Sequence, residues 1–190
     1  IWVLAIANFF VYIVRYAVLD WGPTLLGEWK GVSIHHAGWM VAAFEISGIV
    51  GMLVAGWATD RFFGGRGPRV CVICMALATV FVALFWGISQ PPMWLATLLL
   101  GAAGFCIYGP QALVGIAAAN IATKKAAATA VGFTGLFGYA STLVSGWGLG
   151  LLAQHYGWNI AVGALILIAI MGTLIFMAAW SAKANGYDND

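Results

Sequence analysis

The sequence predicts an all-α membrane protein, a bundle of six transmembrane helices, and three observations carry that prediction. Hydrophobic residues fill 63 % of the 190 positions, and mean hydropathy is +0.97. Charged residues make up only 7 %, with 8 Lys or Arg and 6 Asp or Glu, against about 25 % in a typical soluble domain. Too little polar surface remains to cover a water-soluble body of this size, so the solvent is lipid. Finally, residues 70–123 and 126–182 contain no Asp, Glu, Lys or Arg. Each stretch is long enough for two spans of about 20 residues. The net charge of +2 is too small to point to nucleic acid, and the placement of the charges matters more than their sum.

The elements follow in order. Residues 1–26 form the first span, largely apolar but carrying Asn8, Tyr12 and Arg15, with Asp20 nearer its outer end. With Ile1 at its start and no basic n-region, this stretch does not resemble a cleavable signal, and the sequence reads as an internal or C-terminal piece of a longer protein. The second span, residues 37–59, carries Glu45, Gly48 and Gly51 and runs out into Asp60 and Arg61. The loop Gly64-Gly65-Arg66-Gly67-Pro68-Arg69 superficially resembles a phosphate-cradling loop, but it follows a helix and lacks the Gly-Lys-Ser/Thr ending. The third span, residues 70–88, stops at Ser89-Gln90-Pro91-Pro92, punctuation that joins antiparallel helices.

The fourth span, residues 93–120, contains Gly101, Gly104, Tyr108 and Gln111, and Gly109-Pro110 should bend it. The fifth, residues 126–153, carries Gly132, Gly135, Gly138 and Tyr139, and Gln154-His155-Tyr156-Gly157 separates it from the sixth, residues 159–182. Glycines at this density predict helices in close backbone contact. Cys71, Cys74 and Cys106 sit in apolar runs and supply no disulfide framework; small apolar filling is the better reading of the Cys71/Cys74 spacing than a metal site. His35, His36 and His155 fall in outer loops without metal-ligand spacing and read as solvated. No cofactor signature and no nucleophile–base motif appears, so a membrane enzyme is disfavoured.

Orientation follows from the basic residues. Arg61, Arg66, Arg69, Lys124, Lys125 and Lys183 all fall on one side of this threading, and Lys30 on the other. The first side is cytoplasmic by the positive-inside rule, with both ends of the chain inside.

Arg15 is the most informative residue. It lies about twelve residues from the outer end of its span, roughly 18 Å along a helix, so it must face protein or water. Asn8, Tyr12 and Arg15 are spaced by four and three, which sets an amide, a phenol and a guanidinium on one helix face. A guanidinium in a low-dielectric cavity matches the oxygens of phosphate or carboxylate, and an oxyanion is the expected ligand; an ion pair with a partner helix is the alternative. Tyr108 and Gln111 share a face of the fourth span with Gly104, and Tyr139 shares one of the fifth with Gly135, which predicts space in front of each phenol. Glu45 is a mid-span carboxylate that either pairs with a cation or takes a gating or proton-linked role. The polar residues cluster at one depth, without rings along a pore, which disfavours a channel.

Four stretches carry a family resemblance. They are Gly56-Trp57-Ala58-Thr59-Asp60-Arg61 with Gly64, Gly65, Arg66 and Arg69; the run from Asn8 to Tyr16 with Leu19-Asp20-Trp21; Ile107-Tyr108-Gly109-Pro110; and Lys124-Lys125-Ala126-Ala127 leading to the run from Gly132 to Tyr139. Together they resemble the organophosphate:phosphate antiporters of the major facilitator superfamily, most closely the glycerol-3-phosphate branch. The resemblance implies a twelve-helix carrier of two six-helix halves, with residues 1–190 as the second half (helices 7–12) and the N-terminal half absent from this chain. It implies exchange of an organic phosphate for inorganic phosphate across a bacterial inner membrane, with no cofactor and no nucleic acid, and the lipid bilayer and the other half as partners.

By the same resemblance Arg15 binds phosphate, Tyr12, Tyr108 and Tyr139 line the cavity, and Glu45 matches a carboxylate of the eighth helix. Asn8 and Gln111 join the substrate-binding set, and Asp60, Arg61 and Arg69 are expected to brace the cytoplasmic gate through interhelical ion pairs. Val131 and Thr134 stand where hexose-phosphate carriers have an acidic and a basic residue, which disfavours a hexose phosphate. Hexose-phosphate or phosphoglycerate exchange, and a sugar-phosphate sensor signalling to a membrane kinase, remain the alternatives.

Overall fold

The protein is described here from a computed structural model in which residues 1–182 are described. Lys183, assigned above to the cytoplasmic side, lies outside the described residues. The order is α1 Trp2–Lys30, α2 Ile34–Phe63, α3 Gly67–Gly87, α4 Met93–Ile121, α5 Ala127–Ala140, a π-helical turn Val144–Gly148, α6 Leu149–Tyr156 and α7 Trp158–Ala178. The described residues contain no strand. α5, the π-turn and α6 form one span, Ala127–Tyr156, so six helices are long and apolar enough to cross a membrane. Short connections make consecutive spans antiparallel, which puts Arg61, Arg66, Arg69, Lys124 and Lys125 at one end of the bundle.

Local chemistry fixes the ends. Gly31 (φ 69°) and Gly64 (φ 57°) close α1 and α2 in the left-handed conformation that other residues resist. Ser33 caps α2 by accepting from the His36 amide, and proline in the first turn opens α3. α1 runs past the expected Leu26 because its last residues are held by neighbours. Trp158 Nε1 donates to Glu28 Oε2 at 2.7 Å, Trp29 packs edge-on to Phe85, and Lys30 Nζ donates to the Ile88 carbonyl at 2.6 Å while lying 3.8 Å from the Trp29 ring centroid. Both Pro23 and Pro110 lie within uninterrupted helices.

Helix α4 is the centre of the bundle, packing on α1, α2, α3 and α5. Its closest partner is α2, and glycine sets that approach. A Cβ on Gly51 would stand 1.9 Å from the Phe105 carbonyl oxygen, and one on Gly104 2.3 Å from that of Phe44. Neither backbone could yield without separating the helices. Phe44, Met75, Ile107 and Phe176 are among the fully buried side chains, whereas Leu53, Trp57, Leu98, Leu143 and Leu167 point outward, the apolar exterior that lipid requires.

One expectation is corrected here. Of the three glycines expected to pack the fifth span, only Gly138 faces a close neighbour, since a Cβ there would stand 2.8 Å from Asn8 Nδ2; a Cβ on Gly132 or Gly135 would meet nothing within 4 Å. They border a cavity.

Candidate functional site

The stripe on α1 meets three other helices and divides between two clusters. Arg15, near the middle of α1, reaches α4 and α2. Its Nη2 donates to the Tyr108 hydroxyl at 2.8 Å, that hydroxyl donates to Glu45 Oε2, and Arg15 Nη2 lies 3.6 Å from the same carboxylate oxygen. The guanidinium carbon stands 4.6 Å from the Tyr108 ring centroid and 5.4 Å from that of Tyr16, so the cation also rests on aromatic faces. The Arg15 side chain is 16 % exposed and Glu45 32 %. This is the one ion pair among the described residues.

Both partners keep spare capacity, because Arg15 Nε and Glu45 Oε1 are buried without a hydrogen-bond partner. The ion-pair alternative for Arg15 is therefore present in the structure, and it joins the two charged residues expected at mid-span. Gly48 seats the Tyr108 ring, whose Cδ2 would stand 2.4 Å from a Cβ there. The space expected from Gly104 in front of Tyr108 is not found. Gly104 is filled by the Phe44 backbone, since that face of α4 is the α2 contact.

The second cluster is neutral. Asn8, Tyr12, Gln111, Thr134, Gly135 and Tyr139 border a cavity of about 530 Å³ between α1, α4 and α5. Asn8 Nδ2 donates to the Thr134 carbonyl at 2.9 Å, Gln111 Nε2 reaches the Tyr12 hydroxyl at 3.5 Å, and the Tyr12 and Tyr139 rings meet edge to face with centroids 5.8 Å apart. Asn8 Oδ1 and Gln111 Oε1 are buried and unpartnered. The space predicted in front of Tyr139 is there, because Gly135 leaves it. The six residues assigned to substrate thus fall into a charged pole, Arg15 with Tyr108, and a neutral cavity holding Asn8, Tyr12, Gln111 and Tyr139. Sequence spacing did not separate them.

The charges at the helix ends behave differently from the expectation. Asp60 and Arg61 are exposed, and neither joins an ion pair among the described residues. Arg69 does tie α3 to the segment after α7, but through a 3.3 Å bond from Nε to the Trp180 carbonyl and a guanidinium 5.4 Å from the Trp180 ring. Among the described residues, Arg69 makes a carbonyl contact where an interhelical ion pair is expected.

A clasp absent from the sequence reading joins α1 to the fifth span. Trp21 Nε1 donates to both the Ser145 and Gly146 carbonyls at 3.1 Å, within the π-turn, and its ring edge fits against Gly150. The indole adds a donor to two carbonyls of the widened turn, of which that of Gly146 also accepts from the Leu149 N–H. The available signal was a Trp six residues beyond Arg15 on the same helix, facing a glycine-rich stretch.

Six helices long and apolar enough to cross a membrane, with a polar cavity and a part-buried ion pair among them, define a multi-pass membrane protein. The chain belongs to the Major Facilitator Superfamily, whose sequence profile matches residues 4–186. It is 40 % identical over 183 residues to a "Probable hexose phosphate transport protein" of Chlamydia pneumoniae, a match covering 96 % of this chain and 40 % of that protein. It is 36 % identical over 204 residues to the "Glycerol-3-phosphate transporter" of Haemophilus influenzae, covering 97 % of this chain and 42 % of that protein. It is also 35 % identical over 171 residues to the "Membrane sensor protein UhpC" of Escherichia coli K12, covering 90 % and 38 %. The chain therefore spans about 40 % of the length of these relatives. Such relatives accord with the resemblance to the organophosphate:phosphate antiporters.

Proposed function

We propose that this chain is the second six-helix half of a twelve-helix carrier that exchanges a phosphate ester of the glycerol-3-phosphate type for inorganic phosphate by alternating access. The carrier lies in a bacterial inner membrane, with both ends of the segment cytoplasmic, and it moves its substrate chemically unchanged. The observation that carries this reading is Arg15, a guanidinium at the middle of a membrane helix with a buried, unpartnered Nε. A cation in that position requires a counter-charge. Glu45 and Tyr108 supply one on Nη2, and an incoming phosphate oxygen can take the Nε side or displace the Glu45 contact.

A second cation from the other half would complete the clamp. Two facing positive charges resist closure of an empty cavity, whereas a bound oxyanion neutralises them, so each crossing carries an anion and the transport is exchange. Asp60, Arg61 and Arg69, at the cytoplasmic end, act at the gate by contacts with the other half.

The test is [³²P]phosphate exchange by the full-length carrier in proteoliposomes, competed with unlabelled glycerol phosphate, hexose phosphate and phosphoglycerate. Arg15→Lys keeps the charge and loses the planar fork, and exchange should fall about 10–100-fold. Undiminished exchange in that variant overturns the phosphate site. Failure of every phosphate ester to compete overturns the substrate class. The similarity to a membrane sensor favours one other reading, a receptor that binds the ester without moving it; ester binding with no counterflow would select it.

A further inference from the structure

Another cavity lies toward the end of the bundle opposite Arg61, Arg69 and Lys125, between the C-terminal part of α1, the π-turn with α6, and the start of α7. Its volume is about 510 Å³, within the span of about 300–1,000 Å³ usual for small-molecule sites. Three indoles border it, those of Trp21, Trp147 and Trp158, together with Glu28, Thr24 and Gln154; no Lys, Arg or His among the described residues does so. Two of the indoles are anchored by their own N–H groups. Trp21 Nε1 is committed to the Ser145 and Gly146 carbonyls, and Trp158 Nε1 to Glu28 Oε2 at 2.7 Å. Their ring centroids stand 6.0 Å apart at an interplanar angle of 58°. With both N–H groups taken, these rings have no donor left for an anion, and what remains to them is π density and apolar edge. Glu28 is exposed and forms no ion pair among the described residues, so no cation of the bundle neutralises it.

A carboxylate and three indoles without a basic residue make a negative, largely apolar surrounding. A metal ion would find one carboxylate there and too few oxygens to replace its water. An ammonium carried on carbon suits both features, because the carboxylate attracts its charge and the rings attract it through their quadrupoles while covering its apolar substituents. We propose that this cavity binds an organic ammonium group, with Glu28 as counter-charge and Trp21, Trp147 and Trp158 as an aromatic cage. Trp29, Trp39, Trp86 and Trp94 stand near helix termini at the same end of the bundle, the placement tryptophan takes at the boundary of lipid and water. The ethanolamine headgroup of a phospholipid is therefore the source at hand, and a free amine from solution is the other. Because Trp21 and Trp158 tie α1 to the π-turn and to α7, an occupied cage stabilises the contact of these elements by linkage. The chemistry is the reverse of that at Arg15, so the site stands or falls apart from the phosphate reading.

The full-length carrier, purified in a neutral detergent, is titrated with phosphatidylethanolamine, with phosphatidylglycerol and with free ethanolamine, bound ligand being counted by native mass spectrometry and the thermal midpoint read alongside. In wild type, phosphatidylethanolamine should bind about 10-fold more tightly than phosphatidylglycerol, whose headgroup is of similar size without an ammonium, and should raise the midpoint further. Glu28→Gln keeps an acceptor for Trp158 Nε1 and removes the charge, and it should cut that preference to about twofold. Trp147 is 76 % exposed, so Trp147→Leu removes one wall of the cage with little cost to the fold; it should weaken phosphatidylethanolamine about 2–10-fold and leave phosphatidylglycerol where it was.

Equal binding of the two lipids in wild type, or a preference that survives both Glu28→Gln and Trp147→Leu, overturns the site. So does a full-length carrier that takes up no ammonium in either form, since the other half would then cover the cavity. Where the preference is found, free ethanolamine tells the source: displacement of the lipid by the free amine at comparable concentration assigns a soluble ligand, and binding of the lipid alone assigns the headgroup. If one variant fails to fold, the wild-type ratio and the other variant still decide.

Discussion

Across the seam of α2 and α4, Gly51 and Gly104 bring backbones so close that a Cβ would stand 1.9 Å and 2.3 Å from the facing carbonyl oxygens; along the wall of α1 and α5, a Cβ on Gly132 or Gly135 would meet nothing within 4 Å. One residue type does two jobs. In the seam glycine removes a side chain so that two helices lock together, and on the wall it removes one so that a cavity stays open. Tyr108 stands where the two regions meet, its ring seated on Gly48 of the seam and its hydroxyl turned to Arg15. The locked side therefore holds the charged pole still, and the open side is left free to shape a ligand.

The largest effect expected from this difference is in the seam. Gly51→Val must push apart two backbones, since the obstructing atom is a carbonyl and not a flexible side-chain end, and a cost of at least about 3 kcal/mol follows. Folded yield and thermal midpoint of the detergent-purified protein measure it, and a wild-type midpoint would break the comparison. Next comes Tyr108→Phe. It keeps the ring on Gly48 and deletes the hydroxyl that accepts from Arg15 and donates to Glu45, so the loss should be about 1.5–3 kcal/mol, the range for hydrogen bonds to charged groups. A variant that unfolds at the wild-type temperature would show that Arg15 and Glu45 do not need the bridge.

The six spans were readable because lipid leaves one composition for a crossing helix, and the two long charge-free stretches could be nothing else. Arg15 and Glu45 were readable for the same reason, as charges in the wrong solvent. Their meeting was not readable, because it depends on how α1, α2 and α4 cross, and periodicity within one helix carries no information about its neighbour. The glycines of the fifth span show the same limit. Spacing predicts a smooth face, yet whether that face meets a helix or a void is decided by the partner. The π-turn escaped because its Val144-Ser145-Gly146-Trp147-Gly148 sequence is as compatible with an ordinary turn of helix, and its Ser145 carbonyl accepts from an indole 124 residues away in the chain.

That indole provides the third prediction. Trp21→Phe retains most of the ring against Gly150 and loses the shared N–H to Ser145 and Gly146, so about 1 kcal/mol is at stake. The effect should be local. Amide hydrogen exchange should rise in the π-turn and α6 while the α2–α4 seam keeps wild-type protection, and equal loosening of both regions would mean that the clasp holds the whole bundle.

The smallest effect on stability, and the sharpest test of the open wall, comes from two substitutions one turn apart. A methyl on Gly135 meets nothing within 4 Å, whereas one on Gly138 would stand 2.8 Å from Asn8 Nδ2 and 3.2 Å from the Tyr12 ring. Alanine is also the better helix former by about 1 kcal/mol, so Gly135→Ala should unfold no earlier than wild type. In Gly138→Ala that gain is offset by pressure on two side chains, and its midpoint should be the lower of the pair. Function should follow separate routes. The Gly135 methyl occupies cavity space and should weaken the phosphate ester relative to inorganic phosphate. The Gly138 methyl pushes Asn8 and Tyr12 off their positions and so alters the cavity wall itself. Equal midpoints in the two variants would mean that the α1–α5 contact yields freely at Gly138, and the division between a locked seam and an open wall would then stop at α4.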